Sequence, residues 1–122
     1  MLRSGREVGF QAVKDLIVEE PPCFLELDLG REVEIMGYTL QPRADGITGG
    51  WISRASISTS DDGVHWGPPL STDSLERNKF EKRIIFRTPV RARFVRMTAL
   101  EGFAGQGFAS LAEFRVIGAG EQ

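Results

Sequence analysis

Two segments of this 122-residue sequence combine aromatic rings with arginine, amide and carboxylate groups, close to several glycines. They span residues 41–51 and 101–108. Their candidate side chains are Arg43, Asp45, Trp51, Phe103, Gln106 and Phe108. An aromatic ring packs on the apolar C–H face of a pyranose, while arginine, aspartate or glutamine bonds the sugar hydroxyls. These residue types therefore predict a carbohydrate-binding site, provided that the fold brings the two segments together.

Several of these candidates also have a structural interpretation. Arg43 is equally able to hold its own loop by pairing with Asp45. Trp51 is suited to packing on its loop, and Phe108 to joining the core. The sequence leaves both interpretations open for these residues.

The sequence does not show the residue pattern of a hydrolase. Such an enzyme needs two carboxyl groups about 5–10 Å apart across a cleft. Glu19 and Glu20 are adjacent, and Asp61 and Asp62 fall in a predicted turn, so neither pair resembles a positioned acid and base. His65, the only histidine, lies in the same turn, and one histidine with one cysteine is too few for zinc. We therefore predict that the domain by itself is not an enzyme, with no catalytic residue, metal ligand or cofactor.

Composition narrows the remaining classes of function. The length fits a single domain covering residues 1–122, and the net charge of −2 argues against nucleic-acid binding. The arginines at positions 83, 87, 91, 93 and 96 are predicted to lie on solvated strand faces. Cys23, the only cysteine, is predicted to pack in the interior. No apolar run approaches the ~20 residues of a membrane span, and residues 1–10 lack a signal-peptide pattern.

Short alternating segments separated by glycine and proline predict an all-β sandwich. The predicted strands are 24–29, 33–40, 51–60, 84–86, 93–100 and 111–117. Gly30 and Pro89 are expected to end strands, and Asp62-Gly63 to form a hairpin turn. Residues 67–78 are expected to form a turn-rich connection. Residues 1–20 fit either a short strand or a turn of helix.

Several motifs, in order along the chain, resemble those of a known family. They are Leu27-Asp28-Leu29-Gly30, Gly37-Tyr38-Thr39, Pro42-Arg43 with Asp45-Gly46, Ser60-Asp61-Asp62-Gly63 with Trp66, Ala92-Arg93-Phe94-Val95-Arg96 and Ala109-Ser110-Leu111-Ala112-Glu113-Phe114. The sequence from 24 to 118 thus resembles the F5/8 type C (discoidin-like) domain, in the branch of carbohydrate-binding module family 32. It is most similar to modules at the C-terminus of α-L-fucosidases and β-hexosaminidases.

The resemblance implies a jelly-roll sandwich of about eight strands, the galactose-binding-like fold. It also implies a non-catalytic module that holds a parent glycoside hydrolase on glycans. The expected partners are a carbohydrate and the catalytic domain of the same chain, in an extracellular or periplasmic protein. The alternative is a discoidin-like module that binds protein or membrane surfaces. A membrane partner is not favoured, because the candidate loops carry Asp45 and Glu101 and little basic charge.

The resemblance also assigns individual roles. Arg43 matches the ligand-binding arginine of the family and Phe108 its stacking aromatic, on loops that share one end of the sandwich. Gly49 stands where galactose-binding relatives have asparagine, and their histidine has no counterpart, so galactose specificity is not carried over. Four further matches are interpreted as structural: Asp28, Trp66, Arg96 and Glu113.

We predict that the stability of the domain does not depend on calcium. Family members bind a structural calcium through an N-terminal loop with an Asp-Gly pair and a tryptophan, which residues 10–16 lack. We expect that removing calcium with EDTA leaves the thermal midpoint unchanged. A ligand that binds the native state tightly raises stability, so a fall of more than ~5 °C in EDTA would contradict this prediction.

Overall fold

The computed structural model describes residues 2–4, 12–18, 22–42, 51–103 and 109–118. These residues form seven strands and no helix. The strands are β1 Leu2–Ser4, β2 Ala12–Val18, β3 Cys23–Gln41, β4 Ile52–Ser60, β5 Ser71–Ser74, β6 Lys82–Gly102 and β7 Ala109–Gly118. The predicted all-β class is confirmed, and the described part of residues 1–20 is strand. The described residues also contain no helical segment with the length and hydropathy of a membrane span.

The strands are ordered β2-β7-β3-β6-β4-β5, and β1 pairs in parallel with β3. β3 and β6 are long enough for each to contribute one half to each of the two layers of the sandwich. The first half of β3 pairs with the second half of β6, which also pairs with β4, and we call this group the front layer. The second half of β3 lies between the first half of β6 and β7, which with β2 form the rear layer.

The prediction that Gly30 and Pro89 end strands is wrong, because both lie inside long strands. Gly30 has a φ of 88°, a left-handed conformation that bends β3 without ending it. The pairing of β3 with β6 shifts register between Asp28 and Val33 at this corner. The register of β3 with β6 shifts a second time between Ile35 and Gly37, and Pro89 lies on β6 opposite this shift. Proline has no N–H to donate, and it is tolerated where the ladder of hydrogen bonds is already interrupted.

The core fills the space between the two layers. From the front layer, Leu25, Leu27 and Leu29 are buried on one face of β3, as their alternation predicts. From the rear layer, the ring of Tyr38 packs on that of Phe114, with 5.5 Å between centroids. The other large contributors are Ile57, Val95, Met97, Ile35, Leu40 and Leu111. Cys23 is buried in the same cluster, which confirms its predicted packing role.

One buried hydroxyl ties the layers together. The Tyr38 hydroxyl donates a hydrogen bond of 2.8 Å to the carboxylate of Asp73 in β5. Burial, reinforced by this carboxylate, raises the pKa of Tyr38 well above its usual value. β5 falls within residues 67–78, which were predicted to form only a connection, so that prediction is corrected. Its sequence, Ser-Thr-Asp-Ser, has no apolar alternation, and its strand geometry comes from pairing with β4.

The chain reverses after β4, as predicted, but residues 61–70 join β4 to β5, so Asp62-Gly63 forms only the first part of the connection. β4 and β5 are antiparallel, and Gly63 has a φ of 78°. The carboxylate of Asp62 accepts backbone hydrogen bonds from Val64 and His65, each 2.8 Å long. The His65 side chain contributes most, followed by these N–H groups, to a pKa of Asp62 well below its usual value. The Asp62 carboxylate thus provides hydrogen-bond acceptors for backbone N–H groups that have no strand partner where the chain reverses direction.

Three cross-strand ion pairs link β3 to β6. The guanidinium of Arg93 bonds both oxygens of Asp28, at 2.7 and 2.8 Å. The other pairs are Glu26 with Arg96 at 2.6 Å and Glu32 with Arg91 at 3.2 Å. Of the five clustered arginines, Arg96 is half-buried and the others are exposed, so the predicted solvated faces hold for all but Arg96.

Gly37 is predicted to be essential for pairing β3 with β6. A Cβ added there would lie 2.1 Å from the backbone oxygen of Ile84, which cannot rotate away. We expect Gly37→Ala to destabilise the domain by about 3 kcal/mol in urea denaturation. Gly67→Ala is the matched control, because its Cβ would meet no atom within 4 Å. That variant should stay within about 0.5 kcal/mol of the wild type. Equal stabilities of the two variants would contradict this account.

Asp28 is predicted to contribute stability that depends on pH. Hydrogen bonding from Arg93 lowers the pKa of Asp28, with help from the Gly30 N–H and against the effect of burial. A lowered folded-state pKa stabilises the protein above the unfolded value of 3.8 and loses this effect as the pH falls further.

We therefore expect Asp28→Asn to lower the thermal midpoint at pH 7, and the difference from wild type to shrink below about pH 4. Glu32→Gln is the control, since Glu32 and Arg91 are both more than half exposed and such pairs contribute little. A difference that does not change with pH would show that the charge of Asp28 is not responsible.

Candidate functional site

The described residues that flank the two predicted sugar-contacting segments lie at one end of the sandwich. β3 ends at Gln41 and β7 begins at Ala109, and both belong to the rear layer at this end. In the front layer, Ile52 at the start of β4 pairs with Gly102 at the end of β6. Both segments therefore connect strand ends at the same end of the fold, which we call the site end.

Two of the six predicted site residues are described. Trp51 directly precedes Ile52 and Phe103 directly follows Gly102, so the pairing of those strands places the two residues at adjoining strand ends. Both side chains are half-buried. The remaining four predicted residues, Arg43, Asp45, Gln106 and Phe108, lie outside the described residues. The site as a set of six residues stays a prediction.

A third segment, residues 75–81, also crosses the site end, and the sequence did not indicate it. The Leu75 N–H donates to the Ser53 carbonyl in the front layer, at 2.8 Å. The Gln41 side-chain amide donates to the Lys79 carbonyl from the rear layer, also at 2.8 Å. Between these anchors, the guanidinium carbon of Arg77 lies 5.4 Å from the centroid of the Phe103 ring. No local pattern predicts this contact, because it depends on strands that are distant in sequence.

Hydrogen bonds among residues 78–82 stabilise the conformation of this third segment. The ammonium group of Lys82 donates to the Phe80 carbonyl at 2.6 Å and to the Asn78 carbonyl at 3.2 Å. The Asn78 side chain accepts from the Phe80 N–H at 3.1 Å. Burial lowers the pKa of Lys82, and the charge of Glu76 opposes that shift. The segment is thus ordered before any ligand arrives, and such preorganisation reduces the entropy cost of binding.

An open depression of about 260 Å³ is lined in part by this segment. It is lined by residues 74–76 and 81–84, which include two glutamates, a lysine and an arginine. Beside it, the Phe80 ring is 66% exposed, which is unusual for a phenylalanine. The site end therefore presents more aromatic surface than the two predicted segments alone.

Side-chain contacts hold the start of β4 to the end of β6, next to Trp51 and Phe103. Arg54 and Glu101 form an ion pair of 2.9 Å, and the Ser53 hydroxyl donates to the Gly102 carbonyl at 3.2 Å. Glu101 is therefore neutralised by its neighbour. Among the described residues, no group of three or more His, Cys, Asp or Glu side chains could hold a metal ion. Calcium and cofactors remain matters of prediction.

Two of the residues interpreted as structural, Arg96 and Trp66, make internal contacts on the outer face of the front layer. The Arg96 guanidinium lies between the rings of Phe24 and Trp66, 4.3 Å from each centroid. It also bonds the buried carboxylate of Glu26. Trp66 thereby packs over the sheet, in line with its interpretation as structural. At the end of the molecule opposite the site end, the exposed side chains of His65 and Asp62 lie 2.7 Å apart.

Comparison with protein families matches residues 18–114 to the F5/8 type C domain. Among curated proteins, the sequence is 34% identical over 98 residues to a galactose oxidase of Gibberella zeae. That alignment covers 80% of this chain and 14% of the relative, so the chain corresponds to a small part of the proteins that it matches.

Solved structures with the same fold include carbohydrate-binding modules. A family 32 module from Clostridium perfringens, in complex with GalNAc-β-1,3-galactose, has a TM-score of 0.67 at 23% identity, covering 88% of this chain and 94% of that one. The family 32 module of NanJ from the same organism, in complex with galactose, has a TM-score of 0.68 at 22% identity, covering 88% and 90%. The predicted β-sandwich of the carbohydrate-binding-module type is confirmed.

Proposed function

This chain belongs to the F5/8 type C domain family, and from that premise we propose that it binds carbohydrate at the site end. The observation that carries the proposal is the juxtaposition of Trp51 and Phe103 on adjoining strand ends. Half-exposed rings next to polar loop residues suit a pyranose, which has one apolar face and a rim of hydroxyls. The candidate contacts Arg43, Asp45, Gln106 and Phe108 belong to the two segments that begin and end there.

The scaffold favours this position over other parts of the surface. Binding residues are most often placed on loops that a rigid framework holds in position. At the site end that framework is the ladder between β4 and β6, reinforced by the Arg54–Glu101 pair and the third segment. At the opposite end, the turn around Asp62 and His65 uses its polar groups internally.

We also propose that the domain works as a non-catalytic module of a larger, extracellular, carbohydrate-active protein. The short span of the curated relative that it matches supports a modular role, and that relative is named an oxidase. The parent predicted from sequence was a glycoside hydrolase, and either enzyme would gain from being held near glycans. Tethering raises the effective concentration of substrate, so weak contacts of the module are sufficient.

The binding site can be located by NMR titration with monosaccharides. We expect a Kd on the order of 0.1–10 mM, because one sugar buries little surface and its hydroxyls already bond water. Shifts should map to Trp51 and Phe103. Trp51→Ala should weaken binding at least about tenfold, since stacking is lost. His65→Ala, which removes an exposed ring at the opposite end, should leave binding unchanged.

Two outcomes would contradict the proposal. Shifts that map around Asp62 and His65 would place the site at the wrong end of the sandwich. Cosedimentation with phosphatidylserine vesicles, without shifts from any sugar, would favour the discoidin-like surface-binding alternative. Trp51→Ala must keep a cooperative thermal transition for its result to count, and Phe103→Leu provides a second, milder change at the same place.

A further inference from the structure

Arg77 is an exposed cation at the site end whose hydrogen-bonding capacity is unused by the described residues. Its guanidinium lies against the Phe103 ring, with no ion pair or hydrogen bond from any residue that the structure describes. By comparison, Arg54, Arg91, Arg93 and Arg96 each bond a carboxylate. Arg77 therefore differs from these arginines in having its donors available.

The Phe103 ring favours this position of the guanidinium, whose central carbon lies 5.4 Å from the ring centroid. A cation within about 6 Å of a ring centroid is attracted by the ring's electrons, and this contact uses none of the guanidinium's hydrogen-bond donors. The segment that carries Arg77 is anchored on both sides, through Leu75 to Ser53 and through Lys79 to Gln41. The donors are thus presented at a defined place, next to the proposed sugar site.

The acidic groups near Arg77 do not pair with it. Glu101 pairs with Arg54. Glu76 and Glu81, in the same segment as Arg77, are exposed, and neither forms an ion pair with Arg77 among the described residues. The Arg77 guanidinium is therefore left without a carboxylate partner, and an unpaired guanidinium in a binding site attracts anionic ligands.

We propose that Arg77 makes the site selective for acidic sugars, whose carboxylate it binds with its fork of donors. A uronic acid differs from its neutral parent in carrying a carboxylate at the exocyclic carbon. The guanidinium and a carboxylate match in shape and form paired hydrogen bonds, which a hydroxymethyl group cannot reproduce. The inference rests on the proposed function, because it names the sugar class that the same site takes.

The test compares each uronic acid with its neutral parent: galacturonic acid with galactose, glucuronic acid with glucose and mannuronic acid with mannose. We expect at least one acid to bind wild type about tenfold more tightly than its parent. Arg77→Ala should remove that preference, so it should weaken binding of the acid by about tenfold more than binding of the neutral parent. Added NaCl should weaken binding of the acid alone, because screening acts on the charge interaction.

Two further variants separate charge from geometry. Arg77→Lys keeps the charge but loses the planar fork, so an intermediate preference is expected. Arg87→Ala removes another exposed arginine of the chain, within β6 and away from the site end, and should leave the preference intact. An Arg87→Ala effect equal to that of Arg77→Ala would indicate a general charge effect and overturn the assignment.

The remaining outcomes distinguish this inference from the proposed function. If neutral and acidic sugars bind wild type equally, with shifts at Trp51 and Phe103, the proposed function stands and the role of Arg77 is wrong. The same holds if Arg77→Ala weakens both members of a pair equally, since that reports damage to the site. If no sugar of either kind binds, the proposed function fails and the inference fails with it.

Discussion

The pairing of β3 with β6 is the constraint on which the rest of the structure depends. β3 carries acidic side chains close to basic ones of β6, so Glu26, Asp28 and Glu32 each meet an arginine. Of these pairs, Glu26 and Arg96 are direct partners in the register. The opposite faces of the same strands carry Leu25, Leu27, Val95 and Met97 into the core. A slip of one residue would expose those apolar side chains and bring the charges inside, so burial and charge enforce the same register.

The shape of the molecule follows from the length of these two strands. Because each of these strands bends and continues, β3 and β6 pair with each other in both layers, with β4 beside them in the front layer and β7 in the rear layer. The bend needs a left-handed residue at Gly30, and the second half of the pair needs the absence of a side chain at Gly37. The ends of β3, β4, β6 and β7 then meet at one end of the sandwich, which is where side chains from distant parts of the sequence can act on one ligand.

Among the described residues, three arginines lie over aromatic rings, with different consequences. Arg93 lies 4.9 Å from the centroid of the Phe94 ring and also pairs with Asp28. Arg96 lies between Phe24 and Trp66 and bonds Glu26, so its charge is neutralised and its role is to hold the turn after β4 on the sheet. Arg77 lies on a single ring and bonds no described carboxylate. The same kind of contact is thus structural where an acidic partner is present, as for Arg93 and Arg96, and available to a ligand where that partner is missing.

The sequence by itself determined the all-β class, the inward faces of the main strands and the family, because these depend on local alternation and on motifs in order. It also placed Trp51 and Phe103 among the candidates from residue type alone. Only the tertiary structure decided that segments 24–29 and 33–40 form one bent strand, that β5 exists, and that Arg77 reaches Phe103. These features depend on pairing between residues far apart in the chain. Local sequence carries no signal for β5 or for Arg77, since a polar strand and an exposed arginine acquire their roles only from the neighbours that the fold provides.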